Sequence, residues 1–205
     1  MVFTGVILTG GAGRRMQAAD TAYPAKPLVL LEGAPLVSYP LAALIAAGAS
    51  ELLAIGGDQG SLEGLGLTVV ADTYPGLGPL GGIARALEVA GQDLVVVLAC
   101  DTPFVSETTI VRLVAEAEAE GYDGATAVTA GRREPLIAAY RRAVRPTFEA
   151  ALANDGAVHR ALAELDLASV EIEPDQAWNV NTPADLEKAA RRLRRRSTWP
   201  EGGGR

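Results

Sequence analysis

Residues 94–104 read LVVVLACDTPF, and this stretch decides the architecture. Leu94 to Cys100 is apolar without alternation, the pattern of a strand covered on both faces at the centre of a parallel sheet. Asp101-Thr102-Pro103 stops the run with a carboxylate and a turn sequence. In open α/β sheets ligands bind beyond the carboxyl ends of the strands, so Asp101 is a candidate site residue as well as a turn former.

Outward from this strand the chain alternates. Towards the N-terminus, strands are expected at Val2–Leu8, Glu51–Ile55 and Leu67–Ala71, with helices at Val37–Ala47 and Gly81–Ala90. Towards the C-terminus, Ser106 caps a helix running to about Glu120. Strands follow at Gly124–Thr129 and Pro135–Tyr140 around a turn at Ala130-Gly131-Arg132-Arg133, then helices at Val144–Asn154 and Val158–Leu165 and a strand at Ser169–Glu173. Thr182 caps a final helix with Pro183 at its first position. The expected fold is α/β: a single-domain, Rossmann-like, mostly parallel open sheet with helices on both faces. That domain spans 1–187, and 188–205 form the end of the terminal helix and a basic, disordered tail.

Composition bounds the function. The chain has 205 residues, 49% hydrophobic and 21% charged, enough apolar material for a real core. One cysteine excludes a disulfide scaffold, and no apolar run approaches the roughly 20 residues of a membrane span. The opening MVFTGVILTGG lacks the basic start of a signal peptide, so a cytoplasmic location with no membrane partner is expected. Net charge is −13 over residues 1–187 and +6 over 188–205. The acidic body argues against nucleic acid, and the basic end suits the cationic last turns of a helix.

The polar residues that stand out follow strands. Leu8-Thr9-Gly10-Gly11-Ala12-Gly13-Arg14-Arg15-Met16 is a strand leaving into a glycine-rich, basic loop. Such a loop serves as a plain βα turn, but glycines that admit backbone N–H groups beside two arginines favour phosphate. No Gly-Lys-Ser/Thr follows, and Met16 stands at the third glycine of the dinucleotide fingerprint, so a P-loop and a dehydrogenase are both disfavoured. Lys26, between Pro24 and Pro27, suits either a solvated surface or a phosphate. Asp72 and Asp101 suit Mg²⁺ or a nucleotide, or a cap or turn. Gly76-Leu77-Gly78-Pro79-Leu80-Gly81-Gly82 forms a wrapped loop opening a helix, and Asn179 and Asn181 share one side of an extended segment. One of these amides completes a metal site on Asp101, unless both merely precede the Thr182 cap. The lone His159 and Cys100 support neither zinc nor a triad.

Taken in order, LTGGAGRRM, PAKPL, ADTYPGLGPLGGI, ACDTPFV and WNVNTPADL resemble the molybdenum cofactor guanylyltransferase family, within the nucleotidyltransferases of the nucleotide-diphospho-sugar transferase type. The resemblance runs from Val6 to Leu186 and includes EPLIAAYRRAVRPTFEAAL. It implies transfer of GMP from GTP to the terminal phosphate of molybdopterin or Mo-molybdopterin, with Mg²⁺ as cofactor. It further implies a molybdenum-insertion protein and molybdoenzyme chaperones as protein partners. By the same resemblance Leu8, Thr9, Gly10, Gly11, Gly13 and Arg14 bind GTP, with Asp72 on the guanosine. Lys26 and Arg15 act on the phosphates in catalysis, and Asp101 serves GTP, metal and catalysis together. Asn181 completes the metal set, and Asn179, Gly78 and Pro79 support it or the substrate.

Three departures accompany the likeness. Gln17–Ala25 is longer than the family's link before the lysine, Gly56-Gly57-Asp58 replaces an asparagine frequent there, and Glu134 stands where histidine is frequent. A CTP-dependent molybdopterin cytidylyltransferase, or a guanylyltransferase for another phosphorylated acceptor, is the alternative. Relatives that use CTP carry acidic residues where Asn179 and Asn181 stand, so the amide pair favours guanine.

Overall fold

A computed structural model of the chain describes residues 2–10, 25–154 and 156–197. Strand β1 is Thr4–Leu8, and a small hairpin follows, β2 Leu30–Leu31 against β3 Ala34–Pro35. Then come α1 Ser38–Ala46, β4 Glu51–Ile55, α2 Gln59–Glu63, β5 Thr68–Val70, α3 Gly78–Val89, β6 Leu94–Ala99 and α4 Glu107–Glu118. The second half holds β7 Gly124–Thr129, β8 Arg132–Arg141, α5 Arg145–Ala153, α6 Val158–Ala163, β9 Leu167–Glu171 and α7 Pro183–Ser197.

Among the described residues seven strands form one sheet in the order β5-β4-β1-β6-β8-β7-β9, with only β8 antiparallel to its neighbours. The expected mostly parallel α/β sheet is therefore present. All six residues of β6 are buried, as its unbroken apolar run requires. Val95 and Val97 join a core with α3, α5 and α6, while Val96 and Leu98 join a core with α1 and α4 on the opposite face. A third cluster, Leu31, Leu36, Phe104, Val180 and Ala189, seats α7 against the end of β6 and the small hairpin.

The topology places the site. From β1 the chain moves outward to β4 and β5, then returns to form β6 on the other flank of β1. The crevice between the carboxyl ends of β1 and β6 is thus the switch point where such sheets bind ligands. Leu8 pairs with Ala99 across it, and the Cys100 amide donates to the Leu8 carbonyl at 3.3 Å.

Local differences from expectation have physical causes. The β7–β8 turn is only Ala130-Gly131, both at positive φ (49° and 73°), so pairing resumes at Thr129 with Arg132 and β8 begins before Pro135. A register shift follows Thr126, where Pro135 has no N–H to donate. Helix α3 begins at Gly78 rather than Gly81, because Pro79 suits the first turn. Strand β9 is Leu167–Glu171, two residues earlier than expected, and a 3-10 turn over Pro174–Ala177 follows it. Helix α2, held by the Asp58 cap on the Ser61 amide, is additional. Helix α7 runs to Ser197, and residues 198–205 lie outside the described residues. Among the described residues no helix is long and apolar enough to cross a membrane.

Candidate active site at the carboxyl ends of β1 and β6

Asp101 leaves β6 into a turn closed by the Thr102 hydroxyl donating to the Ala99 carbonyl at 2.9 Å. Its backbone carbonyl accepts from the Val180 amide at 2.9 Å, which lays the segment before α7 alongside the strand end. Two side chains meet the Asp101 carboxylate, and a third meets the cation that pairs with it. Asn179 donates through Nδ2 to Asp101 Oδ1 at 3.0 Å, and Lys26 Nζ donates to Asp101 Oδ2 and, at 2.7 Å, to Asn181 Oδ1. The charges decide the amide orientations: a carboxylate needs the NH₂ of Asn179, and an ammonium needs the carbonyl of Asn181. The side chains of Lys26 and Asp101 are only 17% and 9% exposed, so the ion pair sits largely out of water, where charge left unpaired is costly.

Each member is held by local structure. Lys26 opens a 3-10 turn whose Pro27 is buried, with the Leu28 amide on the Ala25 carbonyl at 2.8 Å and the Val37 amide on the Pro27 carbonyl at 3.0 Å. Asn181 is fixed by Asp185, whose Oδ2 accepts from the amides of Asn181 (3.2 Å) and Thr182 (3.0 Å) and from the Thr182 hydroxyl (2.8 Å). The Thr182 hydroxyl in turn accepts from the Asp185 amide at 3.2 Å, a reciprocal cap that holds the Asp185 carboxyl below its ordinary range, the Thr182 hydroxyl contributing most. Trp178 stacks on Phe104 at 5.8 Å and 4°, and the Arg192 guanidinium lies 5.3 Å from the Phe104 ring centroid while pairing with Asp175. These contacts clamp the residues flanking Asp101 and Asn179 together.

A second corner forms at the ends of β1, β4 and β5. The Thr9 and Gly10 amides both donate to the Ile55 carbonyl, at 3.1 and 2.9 Å, and the Thr9 hydroxyl reaches the Gly56 carbonyl at 2.7 Å. A Cβ on Gly10 would lie 3.4 Å from Asp72 Oδ2, so Asp72 faces this glycine. The other Asp72 oxygen accepts from the Tyr74 amide at 2.8 Å. Gly56 and Gly57 have φ of +76° and +88°, and a Cβ on Gly56 would come 3.0 Å from Gly10 Cα. Gly78 and Pro79 open α3 next along the chain, and both are exposed.

The structure therefore brings Lys26, Asp101, Asn179 and Asn181 into one hydrogen-bonded cluster, and Thr9, Gly10 and Asp72 into a neighbouring corner. Leu8 is buried at the end of β1, its carbonyl accepting from the Cys100 amide. Gly11, Gly13, Arg14 and Arg15 lie outside the described residues. Asp185 and the Gly56-Gly57 pair are additions. Thr182-Pro183-Ala184-Asp185 has capping-box spacing, with Asp in place of Glu, which is the signal that finds Asp185. Cys100 is no reactive thiol, since burial first and the Asp101 charge second push it up to about 12.

The donor chemistry suits a hard divalent cation. Asp101 Oδ2 and Asn181 Oδ1 already converge on one positive centre, the Lys26 ammonium. No group of three or more His, Cys, Asp or Glu gathers among the described residues. A cation here would draw its remaining ligands from water and substrate, as Mg²⁺ does in phosphate-transfer sites.

Comparison with known proteins places the chain in a family. Residues 5–170 match the family model of the MobA-like NTP transferase domain. A molybdenum cofactor guanylyltransferase of Rhodobacter capsulatus is 37% identical over 203 residues, 95% of this chain and 98% of that protein. Another from Bradyrhizobium sp. (strain ORS 278) is 32% identical over 91% of each chain. The crystal structure of molybdopterin-guanine dinucleotide biosynthesis protein A from Archaeoglobus fulgidus superposes with a TM-score of 0.74 at 25% identity, covering 95% of this chain and all of the other. With the family model matched over most of its length and relatives above 30% identity along nearly all of it, this chain belongs to the MobA-like NTP transferase family.

Proposed function

We propose that this chain is a molybdenum cofactor guanylyltransferase. It transfers GMP from GTP to the terminal phosphate of molybdopterin, giving molybdopterin guanine dinucleotide and pyrophosphate. The observation that carries this reading is the Lys26–Asp101–Asn181 cluster at the switch point between β1 and β6, in a chain whose relatives bear that activity in their names.

The chemistry asks little covalent help from the protein. An oxygen of the acceptor phosphate forms a bond to the α-phosphorus of GTP, and the α–β anhydride bond breaks to release pyrophosphate. The acceptor oxygen is already anionic, so no general base is required. The barrier lies in aligning two anions and in stabilising charge on the departing group. Lys26 stabilises that charge through its ammonium, aided by Arg14 and Arg15 of the glycine-rich loop. Asp72 and the Thr9–Gly10 backbone hold the nucleoside end, and Asn179 keeps the Asp101 carboxylate in one orientation. Asp101 and Asn181 would hold Mg²⁺, which supplies charge neutralisation at the reacting phosphates.

Incubation of the purified chain with molybdopterin, GTP and Mg²⁺, followed by chromatography, tests the reading. Molybdopterin guanine dinucleotide is the expected product. A cytosine dinucleotide formed from CTP, with nothing from GTP, overturns the guanine assignment. In a thermal-shift panel with Mg²⁺, GTP stabilises the protein and CTP, ATP and NAD do not.

A further inference from the structure

We propose that in the nucleotide-free protein the Lys26 ammonium occupies the position of the divalent cation, so that a metal is admitted only together with the nucleotide. The proposal rests on the assignment of Asp101 and Asn181 as cation-binding oxygens. It adds a role for Lys26 before substrate arrives, distinct from its role on the phosphates.

The geometry is direct. Lys26 Nζ contacts Asp101 Oδ2 and, at 2.7 Å, Asn181 Oδ1, the same two oxygens that a metal would use. Asn179 Nδ2 covers Asp101 Oδ1 at 3.0 Å, so each carboxylate oxygen already has a donor. A carboxylate 9% exposed requires a compensating cation, and a compact ammonium on a flexible stem supplies one. The ammonium cannot stay between these oxygens while a divalent cation uses the same lone pairs, because like charges at contact distance repel strongly in a partly dry site.

Two further observations make the exchange specific. The Lys26 carbonyl accepts from the Val29 amide at 3.3 Å, and the neighbouring Ala25 and Pro27 carbonyls accept from the Leu28 and Val37 amides, so the movement is confined to the side chain. Among the described residues the site offers one carboxylate and one amide oxygen at this point, short of the octahedral set of Mg²⁺, so phosphate oxygens and water would complete it. The same phosphates give the ammonium a new anionic partner. Nucleotide and metal therefore strengthen each other's binding by one common factor, and Lys26 sets part of that factor.

Mn²⁺ binding to the full-length chain, followed by electron paramagnetic resonance without nucleotide, tests the exchange. Lys26→Met is expected to bind Mn²⁺ at least tenfold more tightly than the unmodified chain, and adding Asp101→Asn abolishes that gain. Equal affinities for Lys26→Met and the unmodified chain, alongside Asp101-dependent Mn²⁺ binding in the presence of GTP, overturn the proposal and leave the metal assignment standing. Mn²⁺ binding with GTP that ignores Asp101→Asn overturns the metal assignment, and the proposal falls with it. If Lys26→Met does not fold, Lys26→Gln keeps a donor for Asp101 without the charge and carries the same expected gain. Its melting temperature should rise more with Mn²⁺ alone than that of the unmodified chain, and equal shifts overturn the exchange.

Discussion

The two corners at the carboxyl edge of the sheet are built from opposite materials. At the ends of β1, β4 and β5, Thr9, Gly10, Gly56 and Gly57 bring backbone against backbone, and the positions work because side-chain atoms are missing. At the end of β6, Lys26, Asp101, Asn179 and Asn181 bring charged and amide side chains together from three distant segments. The first corner is a matter of steric fit, rigid and set by the sheet. The second is a matter of charge, and its members can exchange partners. Substitutions in the first should therefore register in stability, and substitutions in the second in chemistry.

The largest effect is expected at Asp101. Asp101→Ala removes the carboxylate but keeps the backbone carbonyl that accepts from Val180, so the segment before α7 retains its attachment. Transfer is expected to fall by roughly 10²- to 10³-fold or more, as when a group aimed at developing charge is deleted. Circular dichroism should remain that of the native fold, with a lower melting temperature because the Lys26 ammonium loses its carboxylate partner. Turnover like that of the unmodified chain would remove Asp101 from the chemistry and erase the contrast between the corners.

At the glycine corner the main expected loss is in stability. Gly57 has φ +88°, and a Cβ there would meet Leu62 Cδ1 at 2.7 Å and Thr9 Oγ1 at 3.0 Å, with Leu62 wholly buried. Gly57→Ala should cost about 1–3 kcal/mol from backbone strain and crowding. That corresponds to a melting temperature lower by several degrees, at about 2–4 °C per kcal/mol for a chain of this size. Gly60, inside α2 with nothing within 4 Å of its Cβ position, is the control. Gly60→Ala should leave the melting temperature unchanged or slightly higher. Equal shifts for the two variants would show that the corner yields, and that steric fit does not define it.

The same contrast explains what could be read without a structure. Seven consecutive apolar residues announce β6 and its central place, and Asp72 and Asp101 declare themselves by following strands. The pairing of Lys26 with Asp101 crosses 75 residues and that of Asn179 with Asp101 crosses 78, so no spacing encodes them. Gly56-Gly57 reads as a strand terminator, because the close approach of Gly10 depends on how β1 and β4 lie side by side. The early start of β8 turned on whether Ala130 accepts positive φ, which a non-glycine residue rarely does.

The smallest expected effect joins the two kinds of construction at Asp185. This carboxylate lies outside the Lys26 cluster but accepts from the Asn181 and Thr182 amides, so it positions Asn181 through the backbone. Its native ionisation lies below the ordinary carboxylate value, chiefly through the Thr182 hydroxyl. The stabilisation is therefore complete above the unfolded value of about pH 4 and is lost as pH falls through the lower native value. Asp185→Asn should cost roughly 1 kcal/mol at neutral pH, in line with helix caps, and should flatten the fall in melting temperature below about pH 4. Parallel pH curves for the variant and the unmodified chain would show that the cap does not rely on this charge. The loss of transfer in Asp185→Asn should be much smaller than in Asp101→Ala, because Asn181 keeps its side chain and only its backbone support weakens.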